Sequence, residues 1–432
     1  MKIVSTLFVF FSFIFALVAD TLFGNTDGSL FSFILVSSLI AFLCSVIAFQ
    51  CIRLLQKKAD EQMSRSVSSA TIKKEHADKA LFALLKTMTS TTEGDLKSAR
   101  KHLKTLENLI GQHILTDILE LKILKGEKNF DAVEKLSYKL LKNKDSELVG
   151  LKSLIETSAK KKNFNEALLS ANKAFETRQD LYWVLENTFQ LRALSGDWQG
   201  ALEVLETGLK KKLVLPQKYN ELKAVALYEI SLTAAKNKQD FAALKYLTHA
   251  CHLCPDFVPA ALDLAAKFEH SNQKERAKKT LIEVWRRNPT YDIAKAYLNL
   301  FKSETPLEQV LRMETFATLN KNDASLNNFV LAECNMKAKL YDKARAEFEI
   351  FLINNPATKK IASLIEKYEK NVNHNPKAAE NWHKRSLACA DDCVWVCSHC
   401  KQTASKWKPF CSKCGTFNPF HWHLYLDKEG EK

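Results

Sequence analysis

Two patterns of hydrophobic and polar positions divide the chain. At the start lie long uninterrupted apolar runs. From Ile3 to Ala19 seventeen residues pass without a charge, among them Phe8, Phe10, Phe11, Phe13 and Phe15. From Leu30 to Ile52 there are twenty-three more, broken only by serines, cysteines and Gln50. A helix needs about 20 apolar residues to cross a hydrocarbon core. The pattern therefore predicts a transmembrane helical hairpin within residues 1–52, with spans at about 3–19 and 30–52. The loop between them, "DTLFGNTDGS", carries Asp20 and Asp27 and no basic residue. Arg53, Lys57, Lys58, Arg65, Lys73 and Lys74 follow the second run, so the positive-inside rule puts the loop outside and the rest in the cytoplasm. A cleaved signal peptide is the alternative for the first run, with Lys2 as its basic end, but bulky Leu17 sits badly before a cut after Ala19. Residues 53–93 read as a basic juxtamembrane helix or linker.

The second pattern is periodic. Leu96, Phe130, Phe164 and Trp198 stand 34 residues apart, and three residues after each come Ala99, Val133, Ala167 and Ala201. A longer connection around "LKKKLVLPQKYN" interrupts the phase. It resumes with Ala243, Ala277, Leu311 and Ala344 at spacings of 34, 34 and 33, and Pro255, Pro289 and Pro356 each follow their alanine by twelve residues. This 34-residue period resembles the tetratricopeptide repeat. A small side chain lets two antiparallel helices approach, the aromatic three residues earlier fills the space beside it, and proline ends the pair. Val133 and Leu311 depart from the small-residue rule. Seven or eight repeats are expected over residues 94–370, stacked as a solenoid whose groove would take a peptide or helix of a protein partner. Trp183, Trp198 and Trp285 read as packing residues. "CHLC", Cys251–Cys254, lies at the end of a repeat without a second cysteine pair nearby and reads as two structural thiols.

Composition narrows the classes. Glycine (11) and proline (9) are scarce, which disfavours a β-sandwich, a nucleotide-binding α/β fold and a long disordered linker. No G-x-G-x-x-G loop or other catalytic constellation occurs, so the chain reads as a non-enzyme. The formal charge of +14 fits lysine-rich solvated helices beside an anionic leaflet. Nucleic acid is the remote alternative. Six of the eleven cysteines fall after residue 388, a clustering that points to a metal site in a reducing compartment rather than to disulfides.

That cluster is "WVCSHCKQTASKWKPFCSKCGTFNPFHW", residues 395–423 with the histidine that follows. Cys397 with Cys400 and Cys411 with Cys414 form two C-x-x-C knuckles, the spacing of a four-thiolate metal site. Gly415 suits the left-handed position that ends such a turn. Trp395, Trp407, Phe410, Phe417 and Trp422 are expected to form a miniature core, with metal binding supplying most of the folding free energy. Zinc is the expected ion, and rubredoxin-like iron is the alternative the same spacing allows. Cys389, Cys393, His399, His421 and His423 are the spare candidate ligands. Neither C-x-x-C of Cys400 nor that of Cys254 is followed by histidine, which argues against covalent haem. Residues 371–394 read as a charged helix and linker, leaving open whether the ribbon docks on the repeats.

Apolar hairpin, repeat array and terminal "WVCSHC…WKPFCSKCGTF…W" together resemble the HemY-like inner-membrane proteins of bacteria. The likeness in layout covers nearly the whole chain. It implies an all-α, multi-pass inner-membrane scaffold with a small zinc ribbon and cytoplasmic repeats, linked to porphyrin-pathway enzymes and haem biosynthesis. A second resemblance is to lipopolysaccharide assembly protein B, an adaptor for a membrane protease. This chain departs from it by two spans instead of one, and by Trp407 standing four residues before Cys411.

Overall fold

The structure, a computed structural model, describes residues 29–320, 323–389 and 392–425, without the side chains of 29–41, 43, 44 and 64–72. The apolar run 3–19 lies outside the described residues. Among those residues no helix is long and apolar enough to cross a membrane. The run 30–52 opens a single helix, α1, that continues without a break over Ser29–Glu93. Phe42, Ile47, Phe49, Leu54 and Leu55 stand exposed along it.

The chain divides into two compact units, Met1–Asn129 and Phe130–Lys432. In the first, α1 is followed by α2 (Leu96–Ile110) and α3 (Ile114–Gly126). Ala83 of α1 is buried with Ala99, Leu103, Leu106, Leu119 and Ile123. At Gly126 the two helices come so close that a Cβ would lie 2.8 Å from a methyl of Leu96, which would have to shift to admit it.

The second unit begins with α4 (Phe130–Leu140) and continues through seven helical hairpins. These are α5 (Glu147–Lys160) with α6 (Phe164–Thr177), α7 (Tyr182–Leu194) with α8 (Trp198–Lys210), and α9 (Pro216–Lys236) with α10 (Asp240–Leu253). Then come α11 (Val258–His270) with α12 (Lys274–Arg287), α13 (Tyr291–Asn299) with α14 (Pro306–Ala317), α15 (Ala324–Lys337) with α16 (Tyr341–Asn354), and α17 (Lys359–Asn371) with α18 (Pro376–Ala388). A three-stranded sheet closes the unit: β1 (Asp392–Cys397), β2 (Thr403–Ala404) and β3 (Phe420–Tyr425), in the order β2-β1-β3, all antiparallel. The chain is thus an all-α helical-repeat solenoid with a small cysteine-bearing module at its end. Residues 371–394, expected to be mainly linker, carry α18 and the start of β1.

The repeat has a local cause at each second helix. Asp95, Asn163 and Asp197, two repeats and then one repeat apart, cap α2, α6 and α8, their side chains accepting from the backbone N–H of Ser98, Glu166 and Gly200. Such a cap satisfies a donor that the helix leaves open and is worth about 1 kcal/mol. Two residues before α2, α4, α6 and α8 the chain turns through a left-handed position, held by Gly94, Lys128, Lys162 and Gly196 in turn. Ala99, Val133, Ala167, Ala201, Ala243, Ala277 and Ala344 are all fully buried, as close helix approach requires. The interruption after α8 has a simple origin: α9 starts with Pro216 at its first turn and runs for 21 residues, about two turns more than the first helices around it. Pro255, Pro289 and Pro356 lie in the turns after α10, α12 and α16.

Two expectations need correction. Leu311 is 56% exposed, whereas Val310 is fully buried. The phase therefore runs Ala277, Val310, Ala344, and the short spacing falls one repeat earlier than the alanine series suggests. The position three residues before each alanine is also not uniformly a filler, since Phe164 is 45% exposed. Trp198 is buried, against Phe410 and Phe417 of the terminal module at 6.3 and 6.4 Å. Trp285 is a packing residue as expected. It is stacked on Phe316 at 4.7 Å and donates from Nε1 to the Phe316 carbonyl at 3.0 Å. Trp183 is half-buried beneath Lys152.

The corrected phase gives a direct test. Val310→Ala removes two buried methyl groups and should cost roughly 2 kcal/mol, while Leu311→Ala should stay within about 0.5 kcal/mol of the parent. Midpoints of urea unfolding followed by tryptophan emission would report both, and equal losses would restore the original phase.

Candidate metal centre

The module is built by two turns of the same design. Cys397 ends β1, and the N–H of Lys401 returns to its carbonyl at 3.0 Å while its own N–H reaches the carbonyl of Gln402 at 2.9 Å. In the second knuckle the N–H of Gly415 returns to Cys411 at 2.8 Å, and that of Cys411 reaches Thr416 at 3.0 Å. Both turns end on a left-handed residue: Gly415 (φ 71°), where glycine costs nothing, and Lys401 (φ 58°), where a side chain must tolerate it. The strand register Trp395↔Ala404 and Cys397↔Phe420, with the Phe410↔Phe417 bridge, brings the knuckles face to face.

As a result the Sγ atoms of Cys397, Cys400, Cys411 and Cys414 all lie within 4.8 Å of one another. Across the knuckles, Cys397 and Cys414 are 3.7 Å apart and Cys400 and Cys411 are 3.6 Å apart. Four thiolates around an ion at about 2.3 Å would stand about 3.8 Å from each other, so the donor set fits a tetrahedral metal ion closely. The hydroxyl and N–H of Thr416 favour the Cys414 thiolate and lower its pKa to about 5. A deprotonated sulfur is what a metal ion needs.

The spare candidates lie elsewhere. Cys389 donates its thiol to the carbonyl of Ala357 at 3.0 Å. Cys393 is half-buried beside Asp392, and both effects push its thiol up. Neither joins the cluster, nor do His399, His421 and His423, which are exposed. Cys251 and Cys254 are half-buried against the helices, where burial raises each thiol to about 12.

The aromatic residues of the module do something its sequence did not reveal. They were expected to form a miniature core, and Trp395 is indeed buried and Trp422 half-buried. Trp407, Phe410 and Phe417 instead meet the first helices of successive hairpins and the start of α8. Phe417 packs edge-on against Phe189 of α7 at 5.3 Å. Trp407 packs edge-on against Tyr228 of α9 at 5.8 Å and Phe257, the N-cap of α11, at 5.1 Å. Polar contacts pin the other end: Asp392 accepts from the N–H of Lys360 in α17 at 2.7 Å, and Tyr425 donates to Asn355 at 3.1 Å. A module of about 30 residues cannot enclose so many rings by itself, so it shares the core of the repeats. Phe189, Tyr228, Phe257, Asn355 and Lys360 escaped sequence reasoning because none sits at a repeat-defining position. The only available signal was the excess of aromatic residues in the ribbon.

No known protein family matches the chain, and no curated protein does. Solved structures similar to it include Naa15/Naa10 bound to HypK-THB, at 17% identity and TM-score 0.43 over 73% of this chain and 51% of that one. MamA is similar at 16% identity and TM-score 0.27, over 38% of this chain and 91% of that one. PilF of Pseudomonas aeruginosa is similar at 12% and 0.29, over 53% and 100%. The chain thus spans about half the length of the first, and at these scores the likenesses carry no argument about function.

Full-chain protein purified under reducing conditions should contain about one equivalent of tetrathiolate-bound metal by elemental analysis. Cys400→Ser/Cys414→Ser should lose nearly all of it. Trp407→Ala should retain the metal yet be cut faster by trypsin at Lys406, because the ring seam and not the ion holds that loop to the helices. Undiminished metal in the serine variant would rule out the four-cysteine site.

Proposed function

We propose that this chain is a non-catalytic, membrane-tethered adaptor whose zinc ribbon is a structural part of the repeat array. The observation that carries the reading is the placement of the ribbon. It lies along the first helices of several hairpins instead of hanging free, so repeats and ribbon offer partners one composite surface. Zinc suits four thiolates that fill every tetrahedral position and leave none for a reacting water. The exposed Phe42, Ile47, Phe49 and Leu54 of α1, continuous with the apolar run from Leu30, support a membrane anchor with the repeats on the cytoplasmic side. A bacterial inner membrane and porphyrin-pathway partners follow from the HemY-like resemblance, and delivery of a client to a membrane protease is the alternative from the second resemblance.

The part played by the groove changes. Sequence reasoning left it open for a partner peptide, whereas the ribbon covers the first-helix face from α7 to α17. Partners then meet the outer faces of the hairpins or the ribbon's free side.

Crosslinking in membranes holding the intact chain, and separately Cys397→Ser/Cys400→Ser, followed by mass spectrometry, tests the proposal. Haem-pathway enzymes captured by the intact chain and lost from the variant are the expected result. A membrane protease with an envelope-synthesis enzyme would replace the HemY-like reading with the protease adaptor, and absence of any protein partner would end the adaptor reading.

A further inference from the structure

Between the second helices α10 and α12 lie two adjoining depressions of about 530 and 430 Å³ that share Thr248, His252 and Arg276. Leu264 and Phe268 form the apolar floor of one, and Phe241 and Leu244 give the other its apolar side. Phe241 is 84% exposed, an unusual place for a phenylalanine on a well-packed helix. Phe241, Lys245, His249 and His252 follow one another at helical spacing, so they form a single stripe along α10.

The charges around this groove are of nearly one sign. Lys245 stands on the α10 wall, Arg276 and Lys279 on the α12 wall, and Glu283 is the acidic residue that lines it. Among the described residues neither Lys245 nor Lys279 is in an ion pair. Arg276 is held ready, its guanidinium 4.2 Å over the Phe268 ring and one N–H on the side-chain oxygen of Gln273 at 2.6 Å. Burial, and then the nearby Lys223, His252 and Lys245, hold the His249 pKa below its ordinary value.

We propose that this groove docks an acidic segment of a partner protein, with an aromatic or aliphatic side chain of that segment seated against Phe241 and Leu244. Concavity and chemistry favour a peptide over a lipid surface. The cations stand on both helices beside the depressions, where an extended chain can reach them, and Glu283 would face the phosphates of a bilayer. An extended chain of six or seven residues would cover the length of α10, about 21 Å. The inference rests on the adaptor reading, since it requires a protein partner, and adds the surface and the chemistry that such a partner must bring.

The probe is a fluorescent peptide of about ten residues, alternating glutamate with phenylalanine and leucine. Its controls are a twin with lysine at every glutamate and vesicles of phosphatidylcholine with or without phosphatidylglycerol. Full-chain protein in detergent should bind the acidic peptide, more weakly as salt rises, and the Lys245→Glu/Arg276→Glu variant should bind at least about tenfold more weakly. Phe241→Ser should weaken binding several-fold without salt dependence of its own. All three residues are exposed, so circular dichroism should show the fold unchanged. Equal binding of the lysine twin, unchanged affinity in the charge-reversal variant, or no peptide binding overturns the proposal. Vesicle binding that the variant abolishes, without peptide binding, reassigns the groove to an anionic membrane. If Lys245→Glu/Arg276→Glu leaves membrane crosslinking intact, the groove assignment fails while the adaptor reading stands; if the parent captures no protein, the adaptor reading itself fails.

Discussion

The edge-on packing of Trp407 between Tyr228 and Phe257 is the contact on which the rest of the second unit is organised. Pairs of this geometry each contribute about 0.5–1.5 kcal/mol beyond the apolar area they bury. Their importance here comes from what they join. The ribbon can bring its four thiols together through two short turns, but it has too few residues to cover its own rings. Its rings therefore face outward, and the first helices of the hairpins supply the apolar surface that completes them. The same seam buries Trp198, whose repeat-equivalent Phe164 stays partly exposed.

Around this apolar seam runs a polar one. Lys360 donates its backbone N–H to Asp392 and lays its side chain over Tyr291, whose hydroxyl donates to Glu333 at 2.8 Å. Asp263 accepts from Tyr228 at 3.0 Å. Burial raises the Asp263 and Asp292 carboxyls, and Lys406 of the ribbon partly offsets that effect at both. Half-buried polar groups of this kind add little net stability, because desolvation offsets most of what pairing returns. They do fix where the ribbon can sit, since any shifted docking would strand them without partners.

The repeat was legible because its physics is local. A cap, a left-handed turn, a small residue and a terminal proline are each dictated within one hairpin, so they recur at a fixed period. It blurred where local signals conflict: at α14 valine and leucine are adjacent, and only packing shows that Val310 faces in. The four cysteines were legible for the same reason, as two thiols on one tight turn are a local arrangement. Their pairing across the knuckles, Cys397 with Cys414 and Cys400 with Cys411, follows from strand register and is not written in the spacing.

By itself the sequence determined the helical period, the composition of each hairpin's core and the identity of the thiol donors, because those depend on residues near one another along the chain. Only the tertiary structure decided that the ribbon fills the face a partner was expected to use. That contact joins Phe189 to Phe417 across more than two hundred residues. Nothing local marks a ring as half of such a pair, since a side chain's partner is set by how the hairpins stack and where the stack brings the chain's end.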